Sequence, residues 1–177
     1  MIRTVILLQK TKKIAFLGLM LAVAVMLTAL EHMLPPLPLL PPNVKLGLAN
    51  IVTMYCVFFV GKSSAVGLNV LKSFFVLLTR GPMAGLLSLS GGLLSIAVVI
   101  LLHRLFKDKI SYVMISVAGA CAHNLGQYAV ISLWLATPVM VYYLPVLVAS
   151  GIVMGTVTGV LLRVLMPVIS GFLANLE

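Results

Sequence analysis

Acidic residues are almost missing from this chain: Glu31, Asp108 and Glu177 are the only three among 177. One aspartate cannot build an Asp-rich Mg²⁺–diphosphate site, and no Ser/His/Asp set is available for nucleophilic catalysis. Charge of either sign is scarce, at 8% of residues. The two cysteines, Cys56 and Cys121, fall inside apolar segments without CxxC spacing. They read as small buried hydrophobes, neither disulfide partners nor metal ligands. His32, His103 and His123 are too scattered for a haem or zinc pair. The chain also lacks a GxxxxGK[ST] loop, so ATP hydrolysis is not its work. No enzymatic activity and no cofactor are expected.

What is present is apolar. Hydrophobic residues make up 62% of the chain, against about 45–50% for a soluble domain, and the mean hydropathy is +1.23. This length holds about six spans of ~20 residues, with no room for a separate soluble domain. The hydropathy breaks predict an all-α membrane protein: a six-helix bundle in one domain over 1–177, with segments at 14–30, 46–60, 63–79, 84–105, 110–136 and 139–166. Arg3, Lys10, Lys12 and Lys13 ahead of an apolar run give the start a signal-peptide flavour. The run is longer than the usual 7–15-residue signal core and reads as a permanent first span behind a cytoplasmic 1–12 segment.

Alternating spans sort the basic residues by side. Arg3, Lys10, Lys12, Lys13, Lys62, Arg104, Lys107, Lys109 and Arg163 fall on the side of the N-terminus; Lys45 and Arg80 fall on the other. By the positive-inside rule both termini are cytoplasmic and the chain is a multi-pass protein of the cell membrane. The same end-of-segment placement argues against a nucleic-acid surface. The first connection, at 34–45, is then external. Pro35, Pro36, Pro38, Pro41 and Pro42 forbid a helix there, so it reads as a lid or as a stiff spacer. The second and third segments reach only about 22–26 Å at 1.5 Å per residue, and need shielding by protein or local thinning of the bilayer.

Lys72 is the residue in the wrong solvent. It lies halfway along a segment otherwise apolar or small apart from Asn69, where a charge costs at least ~2.5–3.5 kcal/mol. Asn69 precedes it by one turn. In the fifth segment His123 and Gln127, at i and i+4, share a face, with Asn124 about 100° around. Buried amides and imidazoles must find partners. Interhelical bonding at ~0.6 kcal/mol each is one account; a ligand site formed with Lys72 is the other. With no acid nearby, either Lys72 is neutral through desolvation or an anionic ligand supplies the countercharge, attracted by Lys45 and Arg80 at the external mouth. Asn50, Ser88, Ser90 and Tyr143 are lesser candidates; Tyr142 and Tyr143 also suit an interfacial belt. Gly151, Gly155 and Gly159 form one stripe in the last segment, for close packing within the chain or against a partner. Ala15, Gly18 and Ala22 form another in the first segment, with the same two readings.

Lys45-Leu46-Gly47-Leu48-Ala49-Asn50-Ile51-Val52-Thr53, Ser90-Gly91-Gly92-Leu93-Leu94-Ser95, Ala122-His123-Asn124-Leu125-Gly126-Gln127 and Tyr143-Leu144-Pro145-Val146-Leu147 with Ser150-Gly151-Ile152 together resemble the Gx transporter family. That family also carries the older label heptaprenyl diphosphate synthase component I. The resemblance runs from about Lys12 to Leu165, and Lys72 stands where members have arginine or lysine. The family looks like the substrate-binding S components of energy-coupling factor (ECF) transporters. That implies six helices and capture of a small anionic or amphipathic molecule, vitamin-like or related to quinones or flavins. It also implies a coupling subunit docked on Ala15, Gly18 and Ala22 (a spacing unlike the usual alanine one) and two ATPase subunits. Neighbourhoods around related genes imply a second role, as a non-transporting membrane subunit of a flavin-based electron-transfer or isoprenoid-quinone assembly. The charge count predicts that reporters fused to either terminus will both be read as cytoplasmic, and that a label targeted to 34–45 will react only from outside.

Overall fold

The computed structural model describes the backbone of residues 2–33, 48–106, 110–135, 141–142 and 144–174. Six helices follow in order: α1 (Ile2–Met33), α2 (Asn50–Tyr55, continued by a π-helical stretch Cys56–Val60), α3 (Lys62–Arg80), α4 (Pro82–Phe106), α5 (Tyr112–Leu135) and α6 (Leu144–Ala174). These match the six apolar segments, with α1 and α6 extending further at their ends. The 1–12 stretch therefore continues into α1 from Ile2. The 34–45 connection, with Lys45, lies outside the described residues.

Among the described residues, three helical stretches are long and apolar enough to cross a membrane: Thr11–Glu31, Pro82–Phe106 and Leu144–Val164. The other three elements fall short for identifiable reasons. α2 and its continuation make only a short apolar helix, Asn50–Val60. α3 carries Asn69 and Lys72, and α5 carries His123, Asn124 and Gln127, all of them buried. The helices that look least like membrane spans are those that turn polar side chains inward.

Two connections are as short as a chain allows. Gly61 alone joins the π-helical stretch to α3, with φ 127°, and its N–H reaches back to Cys56 O at 2.9 Å. Gly81 alone joins α3 to α4, with φ 90°. Both conformations suit glycine and strain any residue with a Cβ. Pro82 follows as the first residue of α4, where a missing N–H is harmless and the fixed φ suits a helix start.

Glycines also set the spacing of the bundle. A Cβ on Gly151, Gly155 or Gly159 would run into Cys121, Val117 or Val113 of α5, so the α6 stripe is an intramolecular packing face. A Cβ on Gly126 would meet the α4 backbone at Ser90 and Gly91. Helices α4, α5 and α6 therefore lie nearly backbone to backbone, and Ser116 and Thr158 add a 2.7 Å hydrogen bond between α5 and α6. α1 is held more thinly, against α2 and α3. Cys56 and Cys121 are free thiols, Cys56 buried.

The interior divides into two halves. One is an apolar core of Ala24, Val52, Met54, Tyr55, Cys56, Val57, Ala65, Leu68, Ile96, Val99, Ile115 and Leu162. Five of these come from α2 and its π-helical continuation, and the rest from α1, the first half of α3, the second half of α4, the first third of α5 and the later turns of α6. They fill the end of the bundle near the α2–α3 connection. The opposite end, where α1 finishes, α2 begins and α3 meets α4, is left for polar groups. Replacing Gly81 by alanine is expected to lower stability by about 1–3 kcal/mol through forced strain, read as an earlier midpoint of thermal unfolding in detergent.

Candidate functional site

A cavity opens in that second half. Its walls are Thr28 and Glu31 from α1, Ala49 and Asn50 at the start of α2, Lys72 and Val76 from α3, Ala84, Leu87 and Ser88 from α4, and His123 and Gln127 from α5. Lys72 lies eight residues from the end of α3, so its Cα sits about 12 Å below that end at 1.5 Å per residue. Lys72, His123, Gln127 and Asn50 are 3%, 5%, 3% and 6% exposed. The cavity is narrow, about 30 Å³, room for roughly two waters. α1, the thinly held helix, forms one of its walls.

Glu31 changes the electrostatics expected from the sequence. An anionic countercharge is called for only if no carboxylate lies near Lys72, as when the first helix ends with its apolar segment at Leu30. The helix instead continues to Met33, and Ala24, Thr28 and Glu31 form its buried stripe at i, i+4 and i+7. Glu31 is 8% exposed, lines the same cavity as Lys72, and lies within electrostatic reach of both Lys72 and Arg80. The missing-acid premise is therefore overturned. The signal was present: one carboxylate in register with a buried small residue and a buried threonine. Thr28, which hydropathy alone does not single out, donates its hydroxyl to Ala24 O at 2.8 Å.

His123 and Gln127 meet as their i, i+4 spacing allows, with Gln127 Nε2 3.0 Å from His123 Nε2. When the amide donates, the imidazole Nε2 accepts and its proton rests on Nδ1. That edge of the ring lies against the α4 backbone, where Gly91 leaves space for it. Among the described residues, the buried Gln127 Oε1 has no hydrogen-bond partner. Ser88 reaches α3, bonding Ser73 Oγ at 3.1 Å.

The remaining candidates sit elsewhere. Asn124 faces α6: its amide nitrogen donates to Leu147 O at 2.8 Å and to Ser150 Oγ at 3.0 Å. Asn69 is fully buried between α3 and α4, donating to Leu89 O at 3.4 Å, beside Gly92 and outside the cavity lining. Ser90 Oγ bonds back to Leu87 O within α4. Arg80 is exposed at the last turn of α3 and is not part of the lining. Lys45 and Tyr143 lie outside the described residues; Tyr142 is 82% exposed. Ala15, Gly18 and Ala22 are all exposed, no described residue comes within 4 Å of where a Cβ on Gly18 would sit, and their stripe lies nearly opposite the buried face of α1.

The geometry is that of an all-helical membrane protein with a polar cavity near one end of its bundle. A solved structure described as "Structure and mechanism of the S component of a bacterial ECF transporter" shares this fold: TM-score 0.70 at 17% identity, covering 93% of this chain and 98% of that one. The model of the heptaprenyl diphosphate synthase component I family matches residues 20–165, and the chain belongs to that family. No curated protein matches it. Asn124→Ala removes the clasp between α5 and α6 and is expected to cost about 0.6–1.7 kcal/mol, seen as a lower unfolding midpoint in detergent.

Proposed function

We propose that the protein is the substrate-binding component of an ECF-type uptake system, taking a small vitamin-like, quinone- or flavin-related molecule from outside the cell. The observation that carries this reading is the cavity itself. Lys72, Glu31, His123, Gln127, Asn50 and Ser88 come from five helices and converge in one buried space. A protein without a guest would gain nothing evident from burying both an ammonium and a carboxylate there, because buried ion pairs are weak contributors to stability.

The direction of opening supports uptake. The cavity lies toward the ends of α1 and α3 and the starts of α2 and α4. The distribution of lysine and arginine assigns that side to the exterior. The apolar core seals the other half. In this reading Lys72 and Glu31 hold charged groups of the substrate, and His123 and Gln127 supply hydrogen bonds. The same reading gives 34–45 the part of a lid, and Lys45 and Arg80 that of attracting the guest. Asn69, Asn124 and Ser90 fix the helices that carry the site. The exposed Ala15, Gly18 and Ala22 stripe receives a coupling subunit, and ATPase subunits on other chains supply the energy.

The family's description favours a second reading, a non-catalytic membrane subunit of a prenyl- or quinone-making assembly that uses the same cavity for an isoprenoid or quinone. Purification from native membranes separates the two. A coupling protein with two ATPases is expected to accompany the chain; a prenyltransferase or flavoprotein without ATPases would refute the transport reading. Native mass spectrometry is further expected to find a small molecule on the wild-type protein and none on Lys72→Met that remains inserted and monodisperse. Equal retention by the variant would refute a binding role for Lys72.

A further inference from the structure

Gln127 presents an unmet acceptor to the cavity. Its Nε2 lies 3.0 Å from His123 Nε2, while among the described residues its buried Oε1 has no hydrogen-bond partner. The residue is 3% exposed and forms part of the cavity wall. Which end of the amide is left over is decided by the other edge of the imidazole. His123 Nδ1 lies against Gly91, inside α4. Within a helix each backbone N–H is already bonded to the carbonyl four residues earlier, so a side chain placed there can only donate to a carbonyl oxygen. Nδ1 makes no full hydrogen bond among the described residues, yet these surroundings favour the tautomer with its proton on Nδ1. Nε2 then accepts from the Gln127 amide nitrogen, and the amide oxygen remains for the cavity. A buried acceptor in that state calls for an N–H or O–H donor.

A complementary group shares the space. Lys72 is 3% exposed, lines the same cavity and lies within electrostatic reach of His123. Its Nζ carries N–H donors, which suit an acceptor oxygen on a guest. The cavity is narrow, about 30 Å³, so a guest meets the acceptor and the donor with one edge. An open-chain secondary amide turns its N–H and C=O to opposite sides, because its bond is trans. A ring holds them on the same side. A carboxylic acid has lost its donor proton at neutral pH, and simple quinones and isoprenoid chains carry no N–H or O–H. Each of these leaves Gln127 Oε1 unpaired, a loss of about tenfold or more in affinity.

We infer that Gln127 selects the substrate: its Oε1 accepts the N–H of a cyclic amide, a lactam or an imide, whose adjoining carbonyl oxygen is held by Lys72. This deepens the substrate-binding reading and rests on it. It names one edge of the substrate and leaves the other groups to the remaining walls. Titration calorimetry on the purified full-length protein tests it with ring pairs that differ only in the donor. The pairs are α-pyridone beside α-pyrone and δ-valerolactam beside δ-valerolactone, with menadione as an acceptor-only quinone. At least one lactam is expected to bind about tenfold or more tightly than its lactone and than menadione. Gln127→Met, similar in length but without the amide, is expected to erase that preference. Equal binding of lactam and lactone, saturable menadione binding tighter than every lactam, or no lactam binding overturns the inference. The wild-type comparison decides even where the variant fails to fold. Co-purifying ATPases without a lactam preference would sink this inference and leave the transport reading intact. A lactam preference without ATPases would do the opposite.

Discussion

An ammonium group cannot face hydrocarbon, and most of this architecture follows from keeping Lys72 away from it. Burying Lys72 requires α3 to turn one face inward, against α1, α2 and α4. Once it is inside, low polarisability makes every neighbouring dipole count, and the polar residues of five helices gather around it. The more apolar helices, α4 and α6, can then serve as lipid-facing walls while α3 and α5 carry the chemistry. The close backbone approaches at Gly91 and Gly126 draw α4 against α5 tightly enough for an imidazole and an amide to reach the same space.

The polar set is confined to one half of the bundle, and the other half is a dry aliphatic and aromatic core. This gives the bundle a fixed end and an adjustable end. Ala65 and Leu68 on α3 belong to the first, and Lys72 and Val76, one and two turns on, belong to the second. A single helix thus passes from structural packing to the cavity within about two turns. The π-helical widening at Cys56–Val60 falls beside the fixed end, so it leaves Asn50 at the cavity wall undisturbed.

Much of the fold was legible because lipid imposes a simple code: apolar runs interrupted by glycine, proline and charge give six helices, and the polar interruptions within runs give Lys72, His123 and Gln127. What could not be read was which neighbour each polar residue would face. Helical spacing puts His123 and Gln127 on one face and Asn124 about 100° away, but only packing reveals that this turns Asn124 onto α6. Ser88 and Ser90 look equivalent in sequence, yet two residues on a helix point to nearly opposite sides, and only Ser88 lines the cavity. Glu31 was hidden by a boundary. Ending the first helix at the last aliphatic residue discards the turn that brings the carboxylate inward, because an acid at the end of an apolar run looks like solvent-facing punctuation.

α1 is the helix with two audiences. Its inner stripe ends in Glu31, while its outer stripe of Ala15, Gly18 and Ala22 is open to whatever lies beside the protein in the bilayer. Because one helix carries both, a neighbour that tilted or drew α1 outward would also shift the carboxylate within the cavity it shares with Lys72. Lateral contact within the membrane plane would thereby become a change in the electric field at the guest. The helix would work as a lever with its load at one end, and release of a bound molecule would need no separate signal to travel through the core.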